Sequence, residues 1–210
     1  MKKTVKLSAV AAMAALVMVD VGMGTAHASP GNWQLHTPFA SNMCLDAAYA
    51  PGDPHQDPSK DGDKVQMWVC NGQAQQGWIF HPVSTPSGVP AFTITNQRSG
   101  LCLDMDISGG TYDNIPNDYK GHLVQLWHCI TNNGQPEANQ VWYQLLGDYD
   151  GWARLQSGAD SGGSFDFMDA KNYGGTDPSQ NGDPVLVWDY YSPTLPDGRH
   201  GDAPQNWNWT

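Results

Sequence analysis

Four cysteines, Cys44, Cys70, Cys102 and Cys129, are the residues whose type and spacing bear most directly on chemistry. Thiols either ligate metals or join as disulfides, and the compartment decides which. The chain opens with Lys2, Lys3 and Lys6, runs through a short apolar stretch from Ala9 to Val19, and offers Ala26-His27-Ala28 as a small-x-small cleavage site. That pattern reads as a signal peptide over residues 1–28 and predicts a secreted, extracellular protein. In an oxidising compartment two disulfides are expected rather than a metal site, with four free buried thiols as the alternative.

No catalytic motif accompanies the cysteines. Gly-x-Ser-x-Gly, His-Glu-x-x-His and the phosphate loop are all absent from the sequence. A glycosidase needs two carboxylates in contrasting environments, and the many aspartates single out no pair. Asp57, Asp61 and Asp63 echo a calcium loop, but the ligand spacing and terminal glutamate of an EF-hand are missing, so they read as solvated turn acids. His128 reads as a solvated edge residue. Neither a cofactor nor a metal is expected.

Charge narrows the partners. Ten Lys+Arg stand against 21 Asp+Glu, for a formal net charge of −11. Residues 1–28 hold three of the lysines and one aspartate, so the remaining 182 residues carry −13. Nucleic-acid binding rests on Lys and Arg neutralising phosphates, so this balance excludes it. The N-terminal apolar run is too short to span a bilayer, no later stretch approaches that length, and a monomer is expected.

The elements that must position these residues are strands. Nine Trp and eight Tyr supply large buried areas, while 23 Gly and 15 Pro punctuate the chain too often for long helices. Alternation is clear in Ala91 to Thr95 and in Leu123 to Trp127, and Gly-, Pro- and Asp-rich connectors (Pro51 to Gly62, Ser108 to Gly121, Asn172 to Asp183) separate such runs. The class is all-β.

Internal repeats organise the strands. Met43-Cys44-Leu45-Asp46 recurs as Leu101-Cys102-Leu103-Asp104 and, worn, as Asp166-Phe167-Met168-Asp169. Val65-Gln66-Met67-Trp68-Val69-Cys70 recurs as Val124-Gln125-Leu126-Trp127-His128-Cys129 and as Val185-Leu186-Val187-Trp188-Asp189-Tyr190. Each unit closes on a Gln-x-Trp, and those tryptophans, Trp78, Trp142 and Trp207, are 64 and 65 residues apart. Both members of each cysteine pair fall inside one repeat, and both are replaced together in the third. The expected bridges are therefore Cys44–Cys70 and Cys102–Cys129. Three units of about four strands predict one closed, pseudo-threefold barrel of about twelve short strands over residues 29–210.

These landmarks resemble the ricin B-type lectin family, the β-trefoil with a Gln-x-Trp signature, across Trp33 to Thr210. The resemblance implies one shallow sugar site per repeat. The Asp after the Cys accepts hydrogen bonds from neighbouring sugar hydroxyls, the Gln and Trp before the second Cys supply an amide and a stacking ring, and the Asn before the closing Gln-x-Trp adds an amide, while that Gln buttresses the Asp. Carried over, the second repeat is complete, with Asp104, Gln125, Trp127, Asn139 and Gln140. The first has Asp46, Gln66, Trp68 and Gln76, with Gln75 where Asn is expected. The third keeps Asp169, Trp188 and Gln205, but places Leu186 at the Gln and Pro204, which has neither side-chain amide nor N–H, at the Asn. The sites rank second, first, third. The closing Trp78, Trp142 and Trp207 are expected in the core.

The resemblance implies a carbohydrate-binding protein without catalysis, its partner a galactose-type or xylan-type glycan. Two other classes compete with it: an interaction or inhibitor-type trefoil whose sugar sites have decayed, and a small glycan-active hydrolase.

Overall fold

A computed structural model of the chain describes residues 32–38, 40–49, 58–108, 121–147, 151–159, 166–170, 179–189 and 205–210. The proposed signal segment, most of the long connectors, Asp57, Tyr190 and Pro204 lie outside them. Strand formation follows the pleat: along Ala91–Asn96 the apolar Phe92 and Ile94 are buried, while Thr93 and Thr95 between them are only half-buried.

Six runs of chain close a barrel. Asn32–Trp33 pairs with Trp78–Val83, which pairs with Ala91–Asn96. Ala91–Asn96 then pairs with Trp142–Leu146, and that strand with Ala153–Ser157. Ala153 bridges Trp207, and Asn208–Trp209 returns to Leu35–His36, so the ring is complete and its barrel strands have no open edge. Three hairpins cap one end: Met43–Ala47 with Asp63–Val69, Cys102–Met105 with Val124–Trp127, and Asp166–Asp169 with Leu186–Asp189. This is the β-trefoil that the resemblance implied.

The described residues hold sixteen short strands, against the expected twelve, and two single 3-10 turns at Ala74–Gln76 and Ala138–Gln140. The excess comes from breaks in longer runs, such as that at Gln34, whose backbone exchanges two hydrogen bonds with Thr210. A small hairpin, Thr131–Asn132 with Gln135–Pro136, adds two more. Among the described residues no helix is long and apolar enough to cross a membrane, which says nothing about strand-built spans.

The closing tryptophans form the centre of the core. Trp78, Trp142 and Trp207 are fully buried, and each indole N–H donates from its barrel strand to a cap-hairpin carbonyl: Leu45, Leu103 and Met168, at 3.0, 3.0 and 2.9 Å. A buried indole needs such a partner, and the acceptor in each repeat is the residue just before the signature Asp. The core residue thereby fixes the carboxylate beside it.

The repeats also clasp one another in a cycle. Gly62 N–H donates to Leu126 O, Gly121 N–H to Val187 O and Gly182 N–H to Met67 O, at 2.8, 2.8 and 2.9 Å. Each glycine has a positive φ, of 84°, 82° and 93°, which lets the turn aim its N–H at the next hairpin without Cβ strain. Repeat one leans on two, two on three, three on one. The two expected disulfides are present, Cys44–Cys70 and Cys102–Cys129, and tie the two strands of a hairpin together.

Candidate functional site

The second repeat assembles its expected residues in one place. Asp104 and Gln125 are cross-strand partners in the cap hairpin, so the pleat puts both side chains on one face. Gln125 Nε2 donates to Asp104 Oδ1 at 3.0 Å. The 3-10 turn Ala138–Gln140 brings two consecutive amides to the other oxygen: Asn139 Nδ2 and Gln140 Nε2 each donate to Oδ2 at 2.9 Å. Both amides are braced from behind, Asn139 Nδ2 by Met105 O at 3.1 Å and Gln140 Nε2 by His128 O at 3.0 Å. Gln140 Oε1 accepts Ile130 N–H at 2.8 Å. A carboxylate has about four lone-pair sites, so three amides leave Asp104 one further acceptor position and lock its orientation. Trp127, two residues beyond Gln125 on the same strand face, is half-buried, in contrast to the sealed Trp142.

The first repeat repeats this with one amide fewer. Asp46 Oδ1 accepts from Gln66 Nε2 at 3.1 Å and Oδ2 from Gln76 Nε2 at 3.0 Å. Gln75 is buried, with its backbone carbonyl taking Asn96 Nδ2 at 2.9 Å, and adds no donor to Asp46. Gln76 is braced as Gln140 is, by Val69 O and by Asn71 N–H. In the third repeat Gln205 Nε2 reaches Asp169 Oδ2 at 3.1 Å, but the cross-strand partner of Asp169 is the fully buried Leu186, so the Gln66 and Gln125 bond has no equivalent. Trp68 and Trp188 are half-buried like Trp127.

Burial and hydrogen bonding pull the carboxyls in opposite directions. Burial pushes Asp46 up to about 6, against the opposing pull of the Gln66 and Gln76 amides. Asp104 is also raised, chiefly by burial, with Gln125 and Gln140 opposing and the nearby Asp106 and Asp61 carboxylates adding to the rise.

One turn acid differs from its expected role, and a second, exposed as expected, does more than solvate a turn. Asp63 is buried and its Oδ2 accepts Lys60 N–H at 2.6 Å, closing the turn ahead of its strand. Asp61 reaches the next repeat, where Oδ1 accepts His128 N–H at 2.5 Å and Oδ2 pairs with His128 Nδ1 at 2.7 Å. His128 is exposed as expected, yet anchored. The repeats held a signal for this: Asp61 aligns with Asn181, each just before a turn glycine, and Asn181 Oδ1 likewise accepts Val69 N–H at 2.8 Å. Among the described residues one set of three His, Cys or acidic side chains comes within metal-binding distance, His36 with Cys44 and Cys70, and both cysteines are bridged to each other.

The fold is a β-trefoil with an amide-held aspartate in each repeat. The family described as "Ricin-type beta-trefoil lectin domain-like" matches residues 20–115, somewhat less than half of the chain. No curated protein matches it by sequence. Among solved structures it is similar to the designed threefold-symmetric protein ThreeFoil, at 18% identity and a TM-score of 0.57, covering 85% of this chain and 97% of that one. It is similar to the Rhizoctonia solani agglutinin at 16% identity and a TM-score of 0.52, covering 87% and 96%. An exo-beta-1,3-galactanase from Clostridium thermocellum shares 18% identity with a TM-score of 0.57 over 85% of this chain, but this chain spans only 30% of that one. At such identities the likeness establishes the fold alone.

Proposed function

We propose that this is a secreted, monomeric carbohydrate-binding protein without catalytic activity, recognising a galactose-type or xylan-type glycan, with its dominant site in the second repeat. One observation carries the reading: three side-chain amides converge on the Asp104 carboxylate beside the partly open Trp127 ring. A pyranose offers hydroxyls to a fixed carboxylate and an apolar C–H face to an aromatic ring. Secretion rests on the pattern of residues 1–28 and is supported by two disulfides, which persist in oxidising compartments. The first repeat supplies a weaker second site and the third contributes little.

A glycan array on the mature, oxidised protein tests the class, and titration of wild type, Asp46→Ala, Asp104→Ala and Asp169→Ala with an array-positive oligosaccharide tests the placement. Binding lost in Asp104→Ala and kept in Asp169→Ala supports the reading. Undiminished binding in Asp104→Ala contradicts it, and release of reducing sugar from a polysaccharide would instead favour a hydrolase.

A further inference from the structure

A turn from the neighbouring repeat walls the second site, as the Gly182 turn walls the first, but at the second site this wall carries a carboxylate–imidazole pair. Asp61 and Gly62 end the first long connector and lie against the second hairpin. A Cβ on Gly62 would stand 3.8 Å from the Trp127 ring and 3.9 Å from Gln125 Oε1, so this turn borders the ring and the amide already assigned to the site. The Asp61 carboxylate grips His128 twice, once at its backbone N–H and once at Nδ1. The imidazole sits next to Trp127, with ring centroids 6.0 Å apart and planes tilted by 35°. Gln140 joins His128 to the signature carboxylate directly, because its Nε2 donates to both Asp104 Oδ2 and His128 O.

The threefold repeat separates what is structural here from what is not. Among the described residues the brace from a turn side chain to a backbone N–H occurs twice, as Asp61 to His128 and as Asn181 to Val69, so it belongs to the way repeats clasp. A carboxylate–imidazole pair is open to the second repeat alone, since Val69 and Asp189 occupy the positions of His128. An asparagine suffices for the brace. A carboxylate is needed only to hold the imidazole.

We propose that His128 is a sugar-contacting residue of the second site and Asp61 its positioning residue, so that this site is composite between two repeats and takes a neutral glycan. This rests on the reading of the second repeat as the dominant sugar site. A carboxylate only accepts hydrogen bonds, so Nδ1 carries the proton facing Asp61, and in the neutral ring Nε2 is left as an acceptor pointing away from it. The His128 side chain is 60% exposed, so the ring is accessible to a ligand. Asp61 grips the ring, and both Asp61 and Asp106 act on the Asp104 carboxyl, which is raised first by burial and further by these two carboxylates. Such a surface repels an acidic sugar and accepts a neutral one.

The repeat itself supplies the test substitutions. His128→Val installs the residue of the first repeat and Asp61→Asn that of the third-repeat turn, so both are compatible with the clasp; His128→Asn serves as a second variant at the ring. The full mature chain is titrated with an array-positive neutral oligosaccharide and with its counterpart oxidised to a uronic acid, and thermal unfolding is followed in parallel. His128→Val and His128→Asn should weaken neutral-glycan binding about five- to tenfold at unchanged unfolding temperature, and Asp61→Asn about threefold. In the His128→Val background, Asp61→Asn should have no further effect, because Asp61 acts through the ring. Nitrogen-15 signals of the His128 imidazole should report the Nδ1–H tautomer in the wild type and a mixture in Asp61→Asn. Wild-type affinity in both His128 variants, an undiminished Asp61→Asn effect without the imidazole, or equal binding of the acidic glycan overturns the proposal. Asp104→Ala separates the two levels: if it abolishes binding while the His128 variants do not, only this inference fails, and if it does not, the parent reading fails with it.

Discussion

The side-chain amide of Asn139 lies 2.9 Å from Asp104 Oδ2, and at the equivalent place beside Asp46 stands Gln75, one methylene longer, whose side chain adds no donor to that carboxylate. That difference separates the donor sets of the two carboxylates. Gln75→Asn should supply Asp46 with its missing donor, worth about 1 kcal/mol for a net hydrogen bond. The expected outcome is tighter glycan binding at the first site and an Asp46 carboxyl that titrates below its present value of about 6. Titration calorimetry in an Asp104→Ala background, with carboxyl titration by NMR, checks both.

Removing Asp104 should also cost stability. Asp104→Ala takes one acceptor from each of the Gln125, Asn139 and Gln140 amides, of which the latter two are buried and keep only Met105 O and His128 O, and an unsatisfied buried donor costs about 1–3 kcal/mol before water relieves it. A loss of about 2–4 kcal/mol is expected from denaturant unfolding. Glycan binding should vanish at that site, whereas Asp169→Ala should leave total binding nearly unchanged.

Acid should act on the first site in two opposed ways. The folded-state carboxyl of Asp46 is raised to about 6, above its ordinary unfolded value near 4. Between those limits the folded chain holds a proton that the unfolded chain has released, so this group's contribution to stability is fully present below about pH 4 and is lost as pH rises through 6. Sugar binding runs the other way, since the acceptor exists only when the carboxyl is ionised. In Asp104→Ala, first-site affinity should fall roughly tenfold between pH 7 and pH 5. A flat profile over that range would refute the shift.

The clasp glycines give a test of the fold. Gly62 has φ of 84° and its added Cβ would meet only ordinary contacts, so Gly62→Ala should cost the backbone strain alone, about 1 kcal/mol. Chemical denaturation measures this, and a stabilised variant would contradict the left-handed turn.

The disulfides should be a large single contribution. Cys44–Cys70 and Cys102–Cys129 close spans of 26 and 27 residues, each worth roughly 3.5 kcal/mol in the chain-entropy account. Non-reducing peptide mapping should recover these two links, and Cys102→Ala with Cys129→Ala should lower stability by about that amount.

How much of this was legible beforehand divides along one line. Whatever recurs within a repeat was readable in the sequence: the all-β class, the threefold barrel, both cysteine pairs, the core position of Trp78, Trp142 and Trp207, and the grouping of Asp104 with Gln125, Asn139 and Gln140. Alternation and turn residues set strands, and hairpin register brings Gln125 to Asp104, whereas the place of Asn139 and Gln140, 35 and 36 residues away on a 3-10 turn, was legible only through the family resemblance. Contacts between repeats were decided only by the tertiary structure. Asp61 and His128 are 67 residues apart, and they meet because closing the ring seats the first connector on the second hairpin. Sequence periodicity says that three copies exist but not which copy leans on which. The proton affinity of Asp46 is of the same kind, because it depends on how far the assembled barrel and cap exclude water from a carboxyl whose neighbours in sequence, Leu45 and Ala47, say nothing of it.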